Sequence, residues 1–189
     1  MAVLTGPEIE YLVNGGWGER GERISIRPFD RKFVGPASYD VHLGEWIAWY
    51  GDDSDDPDYK TPLDPLNPPA LVRVKIDPDR GLVLYPDVVY LANTVEYMET
   101  EKLEPILHGR SSIGRLGLFV HVTAGFGDPG WRGHWTLELV ATQPIIVRPG
   151  MKIAQVSFET MVGEDRAYCG RYQDQPAEPI PSRYNLNRE

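Results

Sequence analysis

Two clusters of reactive side chains lie near one another in the second half of the chain. One is Gly-Arg-Ser-Ser-Ile-Gly-Arg at 109–115; the other is Ala-Gly-Phe-Gly-Asp-Pro-Gly-Trp-Arg-Gly at 124–133, followed directly by His-Trp-Thr-Leu-Glu-Leu. In the first, Gly109 lets the backbone approach a ligand, Ser111 and Ser112 offer hydroxyl donors, and the forks of Arg110 and Arg115 match phosphate oxygens two at a time. No Gly-Lys-Ser/Thr follows, so this is an anion cradle of some other kind than a Walker loop. A helix over 110–116, about two turns long, would put Ser111 and Arg115 at i and i+4 on one face. A polar turn or an N-capped surface helix is the plainer reading of the same residues.

In the second cluster, the period-2 rule along 134–140 sends Trp135, Leu137 and Leu139 to one side and Thr136, Glu138 and Val140 to the other. A covered Glu138 would have its pKa raised by desolvation and could relay protons near neutral pH, whereas on an exposed edge it would be an ordinary solvated glutamate. Asp128 stands in Gly-Asp-Pro-Gly, where aspartate commonly bonds the turn's own amides. His121, in Leu-Phe-Val-His-Val, is either a satisfied strand histidine or a site residue.

The elements that must hold these groups are mostly strands. Residues 6–14 suit one short helix, with Thr5 as N-cap, Pro7 in the first turn and Gly15 and Gly16 ending it. Short apolar runs bounded by Gly, Pro and Asp then follow at 38–44, 45–50, 71–76, 81–86, 88–98, 116–122, 134–140, 144–149 and 152–161. This pattern predicts an all-β jelly roll, sandwich or barrel. Residues 51–70 combine an acidic run with prolines and read as a solvated excursion, since the glycine and closing glutamate of an EF-hand loop are missing. Residues 173–189 read as an extended polar tail able to order over a ligand.

Composition limits the partners. The 189 residues suit a single folded domain, with 41% hydrophobic and 25% charged side chains. A net charge of −9 argues against general nucleic-acid binding, so any phosphate must be held locally. No apolar run approaches a membrane span and the N-terminus lacks signal-peptide regions, which points to the cytoplasm and away from membranes. The one cysteine, Cys169, can build neither a disulfide framework nor a cysteine-rich zinc site.

Taken together, Pro-Ala-Ser-Tyr-Asp-Val-His-Leu-Gly (36–44), the block 109–133, Thr-Leu-Glu-Leu (136–139), the run 148–159 and Tyr-Cys-Gly-Arg-Tyr-Gln-Asp-Gln (168–175) closely resemble the dCTP deaminases of the dUTPase superfamily. The resemblance covers most of the chain from residue 24, and the block 109–133 is its most specific part. It implies a distorted β-barrel or jelly roll with one or two short helices, assembled as a homotrimer with active sites at subunit boundaries. Residues 1–172 would form the deaminase domain and 173–189 a tail closing over the nucleotide. By position, Arg110, Ser111 and Ser112 match the triphosphate cradle, and Ser111, Arg115 and Glu138 the catalytic group. The resemblance makes Val122, Thr123 and Ala124 the backbone that reads the pyrimidine edge, with His121 as a further substrate contact. Asp128 would contact the 3′-hydroxyl, Trp131 would wall the sugar, and Thr136 would lie near the base. Tyr168, Arg171 and Gln175 match phosphate contacts, with arginine where lysine is common, an exchange that keeps charge but changes donor geometry. Magnesium would be held mainly by the triphosphate, without protein ligands.

The implied reaction is hydrolytic deamination of dCTP to dUTP and ammonia, supplying dUTP or dUMP for dTMP synthesis, with dTTP as a candidate inhibitor. Zinc deaminases activate water with a metal held by His or Cys plus a Cys-x-x-Cys pair, which a chain with one cysteine lacks. Glu138 would shuttle the protons instead, with Ser111 and Arg115 positioning the water. An alternative comes from the overlap of 124–133 with the dUTPase motif Ala-Gly-x-x-Asp-x-x-Tyr-Arg-Gly, Trp131 standing at the tyrosine. Asp128 would then also orient a water toward phosphorus, giving a bifunctional enzyme that releases dUMP and pyrophosphate. Gly125, expected to remove bulk beside the base, and the pair Val140-Ala141 favour that alternative; Val122 leans toward the monofunctional type. The tail has Pro176-Ala177-Glu178 where a glycine usually follows the glutamine. A second alternative is a non-catalytic trimeric nucleotide sensor, which would not need Glu138.

Overall fold

The structure is a computed structural model that describes residues 2–51, 62–121, 123–164 and 166–184. The acidic run at 52–58 and Val122 therefore lie outside the described residues, while 62–70 carry no strand.

The chain enters along Phe158, where the Leu4 amide donates to its carbonyl at 2.8 Å, and turns into helix α1 (Gly6–Val13). Thr5 has the extended backbone of an N-cap, but its hydroxyl makes no capping bond. Ile9 and Leu12, one helical face, are buried. Strand β1 (Arg23–Arg27) follows, then a single 3-10 turn (Arg31–Phe33), then β2 (Tyr39–Tyr50) and β3 (Leu71–Lys75). Next come β4 (Leu82–Leu84), β5 (Val89–Glu101), β6 (Leu103–Gly109), the one-turn helix α2 (Ser111–Gly114) and β7 (Leu118–Val120). The body ends with β8 (Arg132–Ala141), β9 (Ile145–Val147) and β10 (Lys152–Thr160).

One sheet runs β6-β10-β2-β5-β8-β7, with β1 added on β5 and β3 on β2; β4 and β9 form a separate antiparallel pair. The sheet curls until its ends nearly meet. Past β7, the Leu107 amide of β6 donates to the Gly125 carbonyl at 2.7 Å and the Gly127 amide donates to the Pro105 carbonyl at 2.8 Å, so the loop after β7 occupies the exposed edge of β6. Closure of this kind leaves few unpaired edge groups. The core is filled by Tyr39, Leu43, Ile47, Met98, Leu137, Leu139 and Phe158, contributed by four strands.

The all-β expectation holds, with instructive differences. The runs 38–44 and 45–50 are one continuous strand, β2. Gly44 does not break it; a Cβ there would collide with the Asn93 amide of β5, so glycine is present for close strand approach. Two strands escape the sequence pattern. β1 is short, with Arg at both ends and Ser at its centre. β6 contains Pro105, which has no amide to donate; an edge tolerates it, and the proline carbonyl still accepts from Gly127. The expected strand at 116–122 is confined to Leu118–Val120.

Candidate active site

Strand β8 alternates from half-exposed to buried along its whole length, so Trp135, Leu137 and Leu139 enter the core while Thr136 and Glu138 face outward. They face a cavity of about 520 Å³, within the range of small-molecule sites. Its other walls are the loop 121–131 and the returning tail: His121, Ala124, Asp128 and Trp131 from the first, Tyr168 and Gln175 from the second. Most of the expected substrate contacts therefore surround one space with the expected proton shuttle.

Glu138 is half-exposed and is held from one side. The Thr123 hydroxyl donates to Glu138 Oε2 at 2.8 Å, which among the described residues leaves Oε1 for a water or substrate proton. Its own carbonyl accepts from the His121 amide at 2.9 Å, so the loop is stitched to β8 just where the carboxylate projects. His121 is buried with φ of 53°, a left-handed conformation uncommon outside glycine, and it directly follows β7. Its Nε2 lies 2.7 Å from the Ala124 carbonyl; since a carbonyl only accepts, the proton is on Nε2. Burial pushes the imidazole pKa below its ordinary value, and the Glu138 carboxylate and the Ala124 carbonyl oppose that only in part. Two buried ring nitrogens beside the cavity, His121 Nδ1 and Trp135 Nε1, have no partner among the described residues.

Asp128 opens a turn in which the Trp131 amide donates to the Asp128 carbonyl at 3.2 Å, with Pro129 and then Gly130 (φ 80°) at the centre, the pattern of a type II turn. Among the described residues no hydrogen bond engages the Asp128 carboxylate, which faces the cavity instead of the turn's amides. Its charge is felt nearby: the Glu104 carboxyl is pushed up first by burial, then by Glu159 and Asp128. Trp131 is buried against Trp135, ring centroids 4.4 Å apart, and its Nε1 donates to the Tyr172 carbonyl at 2.9 Å.

The tail is docked by β8. The Asp174 amide donates to the Arg132 carbonyl at 2.9 Å and the His134 amide to the Gln175 carbonyl at 3.0 Å, and Thr136 Oγ1 donates to Gln175 Oε1 at 2.6 Å. Gly133, with φ of 145°, permits this: an added Cβ would lie 2.6 Å from the Gln175 nitrogen. Farther on, the Ser182 amide donates to the Tyr50 hydroxyl at 2.7 Å, and Ile180 and Pro181 join the cavity wall. The departure at Pro176-Ala177-Glu178 does not prevent the tail from folding back.

The remaining expected groups stand apart from this space. α2 is a single turn, not two; the Arg115 amide does donate to the Ser111 carbonyl at 3.1 Å, keeping the two at i and i+4. Arg110, Ser111, Ser112 and Arg115 do not line the cavity, so one chain does not bring them to Glu138. Arg171 also stands outside it, its guanidinium donating to the Arg183 carbonyl. Gly125 is needed for a different reason than base clearance: a Cβ would lie 2.5 Å from the Leu107 carbonyl oxygen, so the residue must be small for the loop to close on β6. Cavity residues that the sequence did not single out include Tyr50, Phe126, Trp135 and Tyr172. Tyr172 had a signal, four residues after Tyr168 in the same motif, and its amide donates to the Tyr168 hydroxyl at 3.1 Å. Tyr50 had none.

Residues 3–161 match the model of a family described as dCTP deaminase-like. The chain belongs to this family. Curated relatives agree: the family member "dCTP deaminase, dUMP-forming" of Leptospira biflexa is 43% identical over 172 residues, covering 90% of each chain. A protein of the same name from Clostridium beijerinckii is 44% identical over 173 residues, covering 91% of each. Among solved structures, the 2′-deoxycytidine 5′-triphosphate deaminase from Agrobacterium tumefaciens matches with a TM-score of 0.58 at 23% identity. That match covers 82% of this chain and 47% of the other, so this chain spans about half the length of that protein, and the likeness speaks for the fold.

Proposed function

We propose that this protein converts dCTP to dUMP, ammonia and pyrophosphate, deaminating the base and then hydrolysing the triphosphate at one site. The observation that carries the reading is the presence of Asp128 and Glu138 in one cavity, in a chain whose relatives above 40% identity are named dUMP-forming. This favours the bifunctional alternative over release of dUTP.

Replacing the exocyclic amine by oxygen requires a nucleophilic water at C4, a proton on the ring nitrogen and a proton for the departing ammonia. Glu138 would take the proton of the water through Oε1 and pass it on, while Thr123 holds the other oxygen. A positioned proton shuttle is worth roughly 10²–10⁴-fold. Thr136 and the loop at Ala124 would meet the base, and Trp131 the sugar. In the second step Asp128, its carboxylate free of the turn, would orient a water for attack on phosphorus, and the P–O bond to pyrophosphate would break. Arg110, Ser111, Ser112 and Arg115 would be supplied by a neighbouring subunit of a homotrimer, since one chain holds them away from the cavity. Magnesium would arrive on the triphosphate; among the described residues no group of three or more His, Cys, Asp or Glu side chains is arranged to hold it.

Incubation with dCTP and magnesium, measuring ammonia and pyrophosphate separately and resolving dUTP from dUMP, tests the reading. Equal release of both with no accumulated dUTP is expected. Ammonia without pyrophosphate would leave a plain deaminase, and tight dCTP binding with neither product would leave a sensor. Glu138→Gln should lose deamination by at least about 10²-fold yet still bind dCTP. Asp128→Asn should lower pyrophosphate release much further than ammonia release; equal losses would reduce Asp128 to a sugar contact.

A further inference from the structure

Beside α2, a carboxylate on one strand is shared by two cations from different elements. Asp40 Oδ2 of β2 lies 3.3 Å from Arg110 Nη1 and 3.0 Å from Lys152 Nζ at the start of β10. The Asp40 side chain is 18% exposed, so the pairing is shielded on most sides. The local register explains the convergence. Lys152 pairs with His42 and Ala154 with Val41, so β10 carries an extra residue, Ile153, at a bulge. Because of that bulge Lys152 and Gln155, three apart in sequence, share the face on which Asp40 stands. Gln155 then accepts from Ser38 Oγ at 3.1 Å and donates through Nε2 to the Gly109 carbonyl at 3.3 Å, fixing the backbone next to Arg110. The Lys152 ammonium is also held over the Phe33 ring, 4.9 Å from its centroid.

We propose that Lys152 is a positioning residue for triphosphate binding, acting by neutralising Asp40. This rests on the reading above of Arg110 as a phosphate contact. Asp40 orients the Arg110 fork, but a carboxylate paired with Arg110 alone would cancel its charge and repel the polyanion. With Lys152 on the same oxygen, the trio keeps one net positive charge in a protein whose overall charge is −9. Asp40 thus holds the arginine without disarming it.

Steady-state kinetics with magnesium-dCTP at low ionic strength provide the test. Lys152→Met should raise KM roughly five- to tenfold, as expected for an unscreened charge several ångströms away, with kcat within about twofold and the gap narrowing in salt. Lys152→Arg should stay near wild type, and inhibition by deoxycytidine, which has no phosphate, should be the same in all variants. The double variant Asp40→Asn/Lys152→Met should recover most of the loss, because the carboxylate to be neutralised is gone. A purely structural lysine would give defects that add instead. If Lys152→Met folds poorly, Lys152→Gln carries the same comparison. A KM within twofold of wild type, or a double variant no better than the single, overturns the proposal. Calorimetric binding of magnesium tripolyphosphate repeats the series without turnover, so a protein that fails to convert dCTP sinks the functional reading and not this one.

Discussion

Replacing Gly133 by alanine should detach the tail while leaving the barrel folded. The new Cβ would stand 2.6 Å from the Gln175 nitrogen, far inside contact distance, at a φ of 145° that side chains avoid. The neighbour that can yield is the tail. Its displacement removes the His134 amide bond to the Gln175 carbonyl (3.0 Å) and the Thr136 hydroxyl bond to Gln175 Oε1 (2.6 Å). At about 0.5–1.5 kcal/mol net each, the docking equilibrium shifts by about 1–3 kcal/mol, or roughly 5- to 150-fold. Strain at the unfavourable φ adds about 1–2 kcal/mol to the whole fold, a fall of roughly 2–8 °C in Tm. Two assays separate the effects. Limited trypsin digestion should cut earlier at Arg171 and Arg183, and KM for dCTP should rise at least about fivefold, the low end of the docking shift. Unchanged cutting together with an unchanged KM, in a variant whose Tm has fallen, would refute the dependence of tail docking on this close approach.

Gly125→Ala should destabilise the fold by about 1–3 kcal/mol, because its Cβ would meet the Leu107 carbonyl oxygen at 2.5 Å and strain the closure on β6. A variant with normal Tm but altered preference between dCTP and dUTP would restore the base-clearance explanation. His121 is held below its ordinary imidazole pKa of 6.5, so unfolding takes up a proton as pH falls below that value, and stability should drop from pH 7 toward 5.5. His121→Gln should flatten that slope in thermal melts, and parallel curves for the two proteins would count against it. Mixed, subunit-exchanged Arg115→Ala and Glu138→Gln proteins should regain partial activity if each site joins two chains. No recovery after demonstrated exchange would count against shared sites.

Residue order alone determined the strand character, the shared outward face of Glu138 and Thr136, and the presence of a turn at Asp128, because each depends on neighbours within a few positions. The family could likewise be read from local motifs, above all 109–133. Long-range approach was invisible. Gly44, Gly125 and Gly133 are each small because a distant backbone or side chain comes too close for a Cβ, although only Gly125 carries a functional reading in sequence. β6 was hidden by Pro105, acceptable only because the strand's second edge meets a loop instead of another regular strand. The convergence of Asp40, Arg110 and Lys152 depends on one extra residue in β10 and its register against β2, and Tyr50 meets Ser182 across 132 positions. Such contacts are decided by closing the barrel, since only closure sets which strands, loops and tail segments share a space.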